Sequence, residues 1–322
     1  VKKTSPPAYG QEPATPHPPL SLFGGVSEER LVSVASAQNL SAHIPEALLW
    51  FLSTTGELHE VSRAELSAHK NPFMTAFAPT STSFAGRLEG AVDLLKNKTV
   101  IMALHGTEGE DGTIQELFEN NKIAFTGSGS RSSRQAFDKK LTKILAQTIH
   151  LPLAEDLLVQ DTQSPSSEAE LRSFYEKHPQ MVLKPVANGS SVGLFIIKSK
   201  KDLDEAIQKL KTNANGAYLA ERFLEGREIT VGVSQRRSGP NTALPCSEVR
   251  VIEAGRQFDY EGKYLGHGVQ ELTPAPLTPE QTLACQTLAL KAHELLGCAG
   301  YSRTDMILTA QGPVILEINT LP

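Results

Sequence analysis

The chain alternates apolar runs with short polar breaks, and the spacing of those runs predicts an order of elements. "LSLFGG" sets a short apolar segment before Gly24-Gly25; Leu31, Val34, Ala35 and Leu40 then recur at roughly helical spacing. Strand, glycine turn and helix make an α/β unit whose helix N-terminus suits an anion. "TVIMALHG" (99–106) reads as a buried strand ending at His105-Gly106. "GEDGTIQELFENN" follows as a turn and a helix, and "KIAFTGSG" as another short strand. "FDKKLTKILAQTIHLP" predicts a helix stopped by Pro152. In "TQSPSSEAELRSFYEKHP", Ser167 stands three residues before Glu170, the spacing of a capping box.

Two apolar runs in "MVLKPVANGSSVGLFIIKS" (181–199) bracket a loop of small residues, with Lys184 at its edge. "SKKDLDEAIQKLKT" is an amphipathic helix, and "AYLAERFLEGREITVGVS" (217–234) reads as two strands about a polar turn. "LTPEQTLACQTLALKAHELLGC" carries the fullest set of helix signals. Thr278 is placed as N-cap, Pro279 in the first position, Gln281 closing a capping box and Gly297 beyond the end. "YSRTDMILTAQGPVILEINTLP" predicts two alternating strands around Gln311-Gly312. The stretch 44–98 shows no clear period, and "FAPTSTSFAG" within it reads as a loop.

Composition narrows the class. A chain of 322 residues, 39% hydrophobic and 21% charged, can bury the cores of two or three domains. A net charge of -5 argues against a general nucleic-acid surface, so an anionic ligand would need a local cluster of Lys and Arg. Cys246, Cys285 and Cys298 lack metal-ligand spacing, and their odd number speaks against a disulfide framework, as expected in a reducing cytoplasm. No apolar run approaches the roughly 18 residues of a membrane span, and no signal peptide is evident. Six prolines in the first twenty residues read as an extended linker, residues 1–19. With Val1 in the first position, that linker suggests a piece of a longer protein.

Two places carry candidate chemistry. The loop Gly189-Ser190-Ser191-Val192-Gly193 lets backbone N–H groups approach a ligand closely, and Lys184 could add charge. It has neither P-loop nor dinucleotide spacing, and on local grounds a plain hairpin loop is an equal reading. The end of the chain puts Arg303 and Asp305 on one strand and Glu317 and Asn319 on the next. Residues i and i+2 share a strand face, so hairpin pairing would gather all four. Two carboxylates and an amide oxygen suit Mg²⁺; a salt-bridged sheet face is the other reading.

The motifs "FGGVSEERLVS", "ALHGTEGEDGTIQELFENNKIAFTGSG", "FDKKLTK", "VLKPVANGSSVG", "ERFLEGREITVGV", "FDYEGKY", "GYSRTD" and "LEINTLP" occur in this order from about residue 20 onward. Together they resemble the D-alanine–D-alanine ligases, ATP-grasp enzymes of peptidoglycan synthesis. The resemblance implies an α/β ATP-grasp fold with an N-terminal Rossmann-like α/β domain. It divides the chain into an N-terminal domain (20–137), a central subdomain with the phosphate-covering loop (138–228) and a C-terminal subdomain with the metal site (229–322). It also implies ATP, two Mg²⁺ ions (or Mn²⁺), D-alanine as substrate, a homodimer, and fusion to another cell-wall ligase.

By their places in the matching motifs, Lys139 and Lys184 would contact the α- and β-phosphates and Lys263 the γ-phosphate, under a loop contributed by Gly189, Ser190, Ser191 and Val192. Glu221 and Glu228 would hold the adenine amino group and the ribose. Asp305, Glu317 and Asn319 would be metal ligands, with Arg303 stabilising transferring charge. Glu29 would take the first D-alanine's ammonium beside His105, and Glu29, Ser190 and Tyr264 would form a hydrogen-bonded set. In the family, a tyrosine at the position of Tyr264 goes with D-alanine as acceptor. The family continues beyond the proline matched by Pro322, so the acceptor site is expected to be incomplete and dipeptide synthesis poor. The competing readings are a related ligase using D-lactate or D-serine, and a non-catalytic nucleotide-binding module.

Overall fold

The computed structural model describes residues 17–187, 193–213, 216–236, 239–251 and 269–322. Its first third runs β1 (Pro19–Gly24), α1 (Arg30–His43), β2 (Leu48–Leu52), β3 (Leu58–Glu60), α2 (Arg63–Ala68), α3 (Val92–Leu95), β4 (Thr99–Met102), α4 (Thr107–Glu110), α5 (Thr113–Asn120) and β5 (Ala124–Phe125). The strands form a sheet in the order β3-β2-β1-β4-β5, parallel except for β3. The predicted strand–glycine–helix unit is present, and of the residues placed on its apolar face Val34 is buried and Leu40 packs against the same core, but the face is turned partly away from that spacing. Val32, Ser33, Val34, Ala37 and Ser41 are buried, while Leu31 and Ala35 lie half out. Ser33 explains the rotation: its hydroxyl accepts from Gly24 N at 2.7 Å and donates to Ala103 O at 2.6 Å, tying the ends of β1 and β4 to the helix. The stretch 44–98, silent in the sequence, supplies β2, β3, α2 and α3.

The middle of the chain adds α6 (Ser130–Phe137), α7 (Lys139–Thr148), β6 (Asp156–Val159), α8 (Pro165–Lys177), β7 (Met181–Pro185), β8 (Phe195–Ile197), α9 (Lys200–Asn213) and β9 (Tyr218–Arg222). Its strands form an antiparallel sheet, β6-β9-β7-β8. Helix α8 begins three residues earlier than expected from Ser167. Ser164 is its N-cap, accepting from Ser166 N, and Pro165 occupies the first turn; Ser167 is buried inside the helix. Proline lacks the N–H that an N-terminal turn cannot use, so the helix starts there.

The last part comprises β10 (Arg227–Ser234), β11 (Thr242–Ala243), β12 (Ser247–Val251), β13 (Val269–Leu272), α10 (Pro279–Leu296), β14 (Tyr301–Thr309) and β15 (Gly312–Asn319). The sheet order is β13-β12-β10-β14-β15, with β11 against β10. Helix α10 has the full capping box read from the sequence, with Gly297 in the left-handed region at φ 65°. One sheet face is apolar and packs on α10: Ile229, Val231, Val233, Met306 and Ile318 meet Cys285, Leu288, Ala289, Ala292 and Leu296. Ala136 from α6, Ala146 from α7 and Leu151 just beyond it join this core rather than that of the four-stranded sheet. Leu321 and Tyr301 pack into the core of the first sheet, with Leu22, Val100 and Met102. The alternation along β10, β14 and β15 leaves the opposite face of the C-terminal sheet for polar residues.

Candidate active site

That polar face carries the hairpin of β14 and β15. In its register Arg303 stands opposite Asn319 and Asp305 opposite Glu317, with an irregularity just after Asp305. Two carboxylates directly across a ladder repel one another unless cations share the space. Arg303 grips Asp305 with two nitrogens, Nε to Oδ1 at 2.9 Å and Nη2 to Oδ2 at 2.8 Å. Thr230 Oγ1 donates to Oδ1 at 2.6 Å and Asn319 Nδ2 to Oδ2 at 3.1 Å. Lys139 Nζ lies 3.6 Å from Glu317 Oε2. Glu228, two residues before Thr230 on β10, shares the face that carries Thr230 and is half-buried.

The four-stranded sheet brings the second group of charges. Asp138 caps α7 by accepting from Leu141 N at 2.9 Å, which places Lys139 in the first helical position. Lys184, near the end of β7, is buried; its Nζ lies 2.7 Å from Glu221 Oε2 and 3.5 Å from Leu316 O on β15. Glu221 also binds Lys143 at 2.7 Å. Burial alone would push the Glu221 carboxyl up, but Lys184 and Lys143 outweigh it and hold it below the ordinary glutamate value. The Glu221 side chain is thus turned to two lysines.

The N-terminal sheet closes the third side. Gly106 follows β4 at φ 72°, and a Cβ there would lie 2.8 Å from Glu29 Oε2 and 2.9 Å from Ser27 Oγ. Its N–H donates to Glu110 Oε1 at 3.0 Å. Two carboxylates therefore flank one glycine. Burial first, then the charge of Glu29, raises the Glu110 carboxyl to about 7; Glu317 adds to the rise, while the Gly106 N–H and Arg303 oppose it. His105 Nε2 lies 2.9 Å from Ser36 Oγ, and burial followed by Arg303's charge lowers the imidazole to about 4. A histidine so placed is neutral at physiological pH. Arg303 and Glu317 act on these groups from another sheet, so the glycine turn and the hairpin face one space.

The structure therefore brings together Glu29, His105, Lys139, Lys184, Arg303, Asp305, Glu317 and Asn319. Glu221 joins them through Lys184, and Glu228 through the β10 face. Gly189, Ser190, Ser191, Val192, Lys263 and Tyr264 lie outside the described residues. Gly193, at the loop's exit, has φ 77°, and a Cβ there would meet Tyr218 Oη at 2.9 Å. Sequence reading missed Glu110, Lys143 and Thr230. Lys143 carries a signal, one helical turn after Lys139 in "DKKLTK"; Thr230 gains meaning only from its register opposite Asp305. Among the described residues no three His, Cys, Asp or Glu side chains form a metal cluster. Asp305 and Glu317 with Asn319 nevertheless have the hard-oxygen chemistry a divalent cation takes, and the cationic groups gathered on both carboxylates mark a position that favours positive charge.

Known proteins resemble this chain in sequence and in fold. Residues 20–128 match the family model described as D-ala D-ala ligase N-terminus, and residues 145–322 that described as D-ala D-ala ligase C-terminus. A D-alanine–D-alanine ligase of Methylacidiphilum infernorum is 34% identical, over 96% of this chain and 87% of its own length. One of Halalkalibacterium halodurans is 32% identical, over 94% and 88%. Among solved structures, the VanG D-Ala:D-Ser ligase of Enterococcus faecalis superposes with a TM-score of 0.74 at 23% identity, covering 96% of this chain and 91% of its own. The D-alanine–D-alanine ligase of Coxiella burnetii gives 0.72 at 22%, covering 94% and 85%. These likenesses establish the ATP-grasp fold.

Proposed function

The chain belongs to the D-alanine–D-alanine ligase family, and from that premise we propose how its residues divide the work. The reaction is the ATP-dependent joining of two D-alanines into D-alanyl-D-alanine for peptidoglycan synthesis. The first D-alanine's carboxylate attacks the γ-phosphorus of ATP, giving an acyl phosphate and ADP. The amine of the second then attacks the acyl carbon, and phosphate leaves with the C–O electron pair. Such transfers need positioning and charge neutralisation more than covalent help.

Lys139 and Lys184 bind ATP phosphates, with Lys263 on the γ-phosphate and the N–H groups of Gly189, Ser190, Ser191 and Val192 above them. Arg303 stabilises the charge that develops on the transferred phosphoryl group and the tetrahedral oxyanion. Glu228 holds the ribose, and Glu221 serves the adenine end while its carboxylate aims Lys184. Glu29 takes the ammonium of the first D-alanine, beside a neutral His105, in a set completed by Ser190 and Tyr264. Asp305, Glu317 and Asn319 hold the divalent metal, read as two Mg²⁺ ions. The metal supplies neutralisation of phosphate charge. A cytoplasmic setting and a homodimer follow the same reading; sedimentation equilibrium checks the homodimer. Among the described residues no helix is long and apolar enough to cross a membrane.

The observation that carries this reading is the meeting of three charge groups in one space. Glu29 and Glu110 come from the first sheet, Lys139 and Lys184 from around the second, and Arg303 with Asp305 and Glu317 from the third. A ligand spanning ammonium, carboxylate and triphosphate meets complementary charge along its length. In the full-length natural protein, phosphate release from ATP should depend on D-alanine and saturate with it, and chromatography should recover D-alanyl-D-alanine. ATP binding by that full-length protein with no D-alanine-dependent phosphate release would overturn the reading.

A further inference from the structure

Five charges alternate in sign beneath the phosphate lysines, in the order Lys184, Glu221, Lys143, Asp156 and Lys140. Lys184 Nζ lies 2.7 Å from Glu221 Oε2, and Lys143 Nζ 2.7 Å from the other oxygen, Oε1. Lys143 Nζ is also 3.5 Å from Asp156 Oδ1 and donates to Ala154 O at 2.9 Å. Lys140 Nζ is 2.6 Å from Asp156 Oδ2. The side chains of Lys143, Asp156 and Glu221 are only 5–6% exposed. None of this is required by the reaction as set out above except Lys184 and Glu221.

Register shows why a cation must sit there. Asp156 on β6 stands directly opposite Glu221 on β9. Two buried carboxylates at that spacing cannot both remain ionised without a charge between them. Lys143 is that charge, and it arrives from α7, one turn after Lys139. Its effect reaches Lys184. Were Glu221 partnered by Lys184 alone, it would hold that ammonium as a buried contact pair, and an arriving phosphate would compete with the carboxylate. With Lys143 on Oε1, Glu221 is neutralised independently and can orient Lys184 without monopolising it. Three ammoniums against two carboxylates also leave one positive charge in excess, whereas removal of Lys143 leaves none.

We propose that Lys143 is a positioning residue for nucleotide phosphate binding, keeping Lys184 aimed by Glu221 yet available to the phosphate. The proposal rests on the reading of Lys184 as a phosphate ligand. The measurement is the ratio of ADP to adenosine affinity, by calorimetry and competition in Mg²⁺ buffer. Lys143→Met should lower that ratio about tenfold, the value of one charge-assisted contact, with adenosine affinity unchanged. Adding Glu221→Gln removes the competing negative charge while the amide oxygen can still accept from Lys184, and any change at the adenine end cancels in the ratio, so the double variant should recover the ratio to within about threefold of the original. That recovery is also the reading to take if Lys143→Met alone fails to fold. An unchanged ratio in folded Lys143→Met, or a double variant still tenfold down, would overturn the proposal. Lys184→Ala is the separate arm: an unchanged ratio there removes the phosphate role of Lys184 itself.

Discussion

At the scale of residues, the site is a set of opposed charges whose protonation is set by burial and by one another. Glu110 and His105 pull in opposite directions with pH. Glu110 has its carboxyl raised from 4.5 to about 7, so its contribution to folding is full below about 4.5 and lost as pH rises through about 7. His105, lowered from 6.5 to about 4, contributes fully above about 6.5 and loses that contribution as pH falls through about 4. Glu110→Gln keeps an acceptor for Gly106 N–H and removes the first effect. Without ligands, the variant should gain on the original protein as pH rises from about 5 to 8, by up to about 3 kcal/mol. Urea unfolding at several pH values reads this, and a difference that stays flat with pH would show that ionised Glu110 is already compensated. Glu317→Gln keeps the shape of the side chain but loses charge from the proposed metal set. Turnover should fall by about a hundredfold or more while ADP binding persists. Near-normal turnover at ordinary Mg²⁺ would place the ligands elsewhere.

Elements whose signals are local were legible in the sequence, and those shaped by distant partners were not. Helix α10 carried its own start and stop in Thr278, Pro279, Gln281 and Gly297, all present as read. Thr278→Ala should cost about 1 kcal/mol in denaturant unfolding, with catalysis untouched. The hairpin of β14 and β15 was legible because a period of two fixes which residues share a face, and so Arg303, Asp305, Glu317 and Asn319 were found together. The face of α1 was only half read: Val34 and Leu40 meet the core as expected, but Leu31 and Ala35 do not, because a serine, Ser33, is drawn inward by two backbone groups from β1 and β4. Apolar spacing cannot register such a bond. The β4–α4 turn belongs to this class too, since the need for glycine comes from Glu29 and Ser27, some eighty residues earlier. Gly106→Ala should keep the sheet but displace Glu29, raising the KM for D-alanine more than that for ATP. Equal rises in both would point to a general loss of structure instead.

The whole molecule is three sheets sharing one charged space, so ligands that bridge it should stabilise all three together. At a free ATP concentration a hundred times its Kd, linkage predicts about 2.7 kcal/mol, with a melting temperature that climbs with nucleotide concentration. A transition split into a ligand-sensitive and an insensitive part would show that the sheets unfold separately. The sheets are also joined outside the site, through Leu321 in the core of the first sheet. Leu321→Ala should cost about 2–5 kcal/mol, even though its neighbours Leu22 and Met102 lie 299 and 219 residues away in the chain. That separation has a meaning in time. A ribosome adding about 5–20 residues per second needs roughly 10–40 s after making β5 to reach Leu321. During that interval every strand of the first sheet exists while its core still has an open seat. Until then the newborn N-terminal sheet carries an apolar gap where Leu321 will sit, which leaves it more open to chaperones and proteases than it is once the chain is finished.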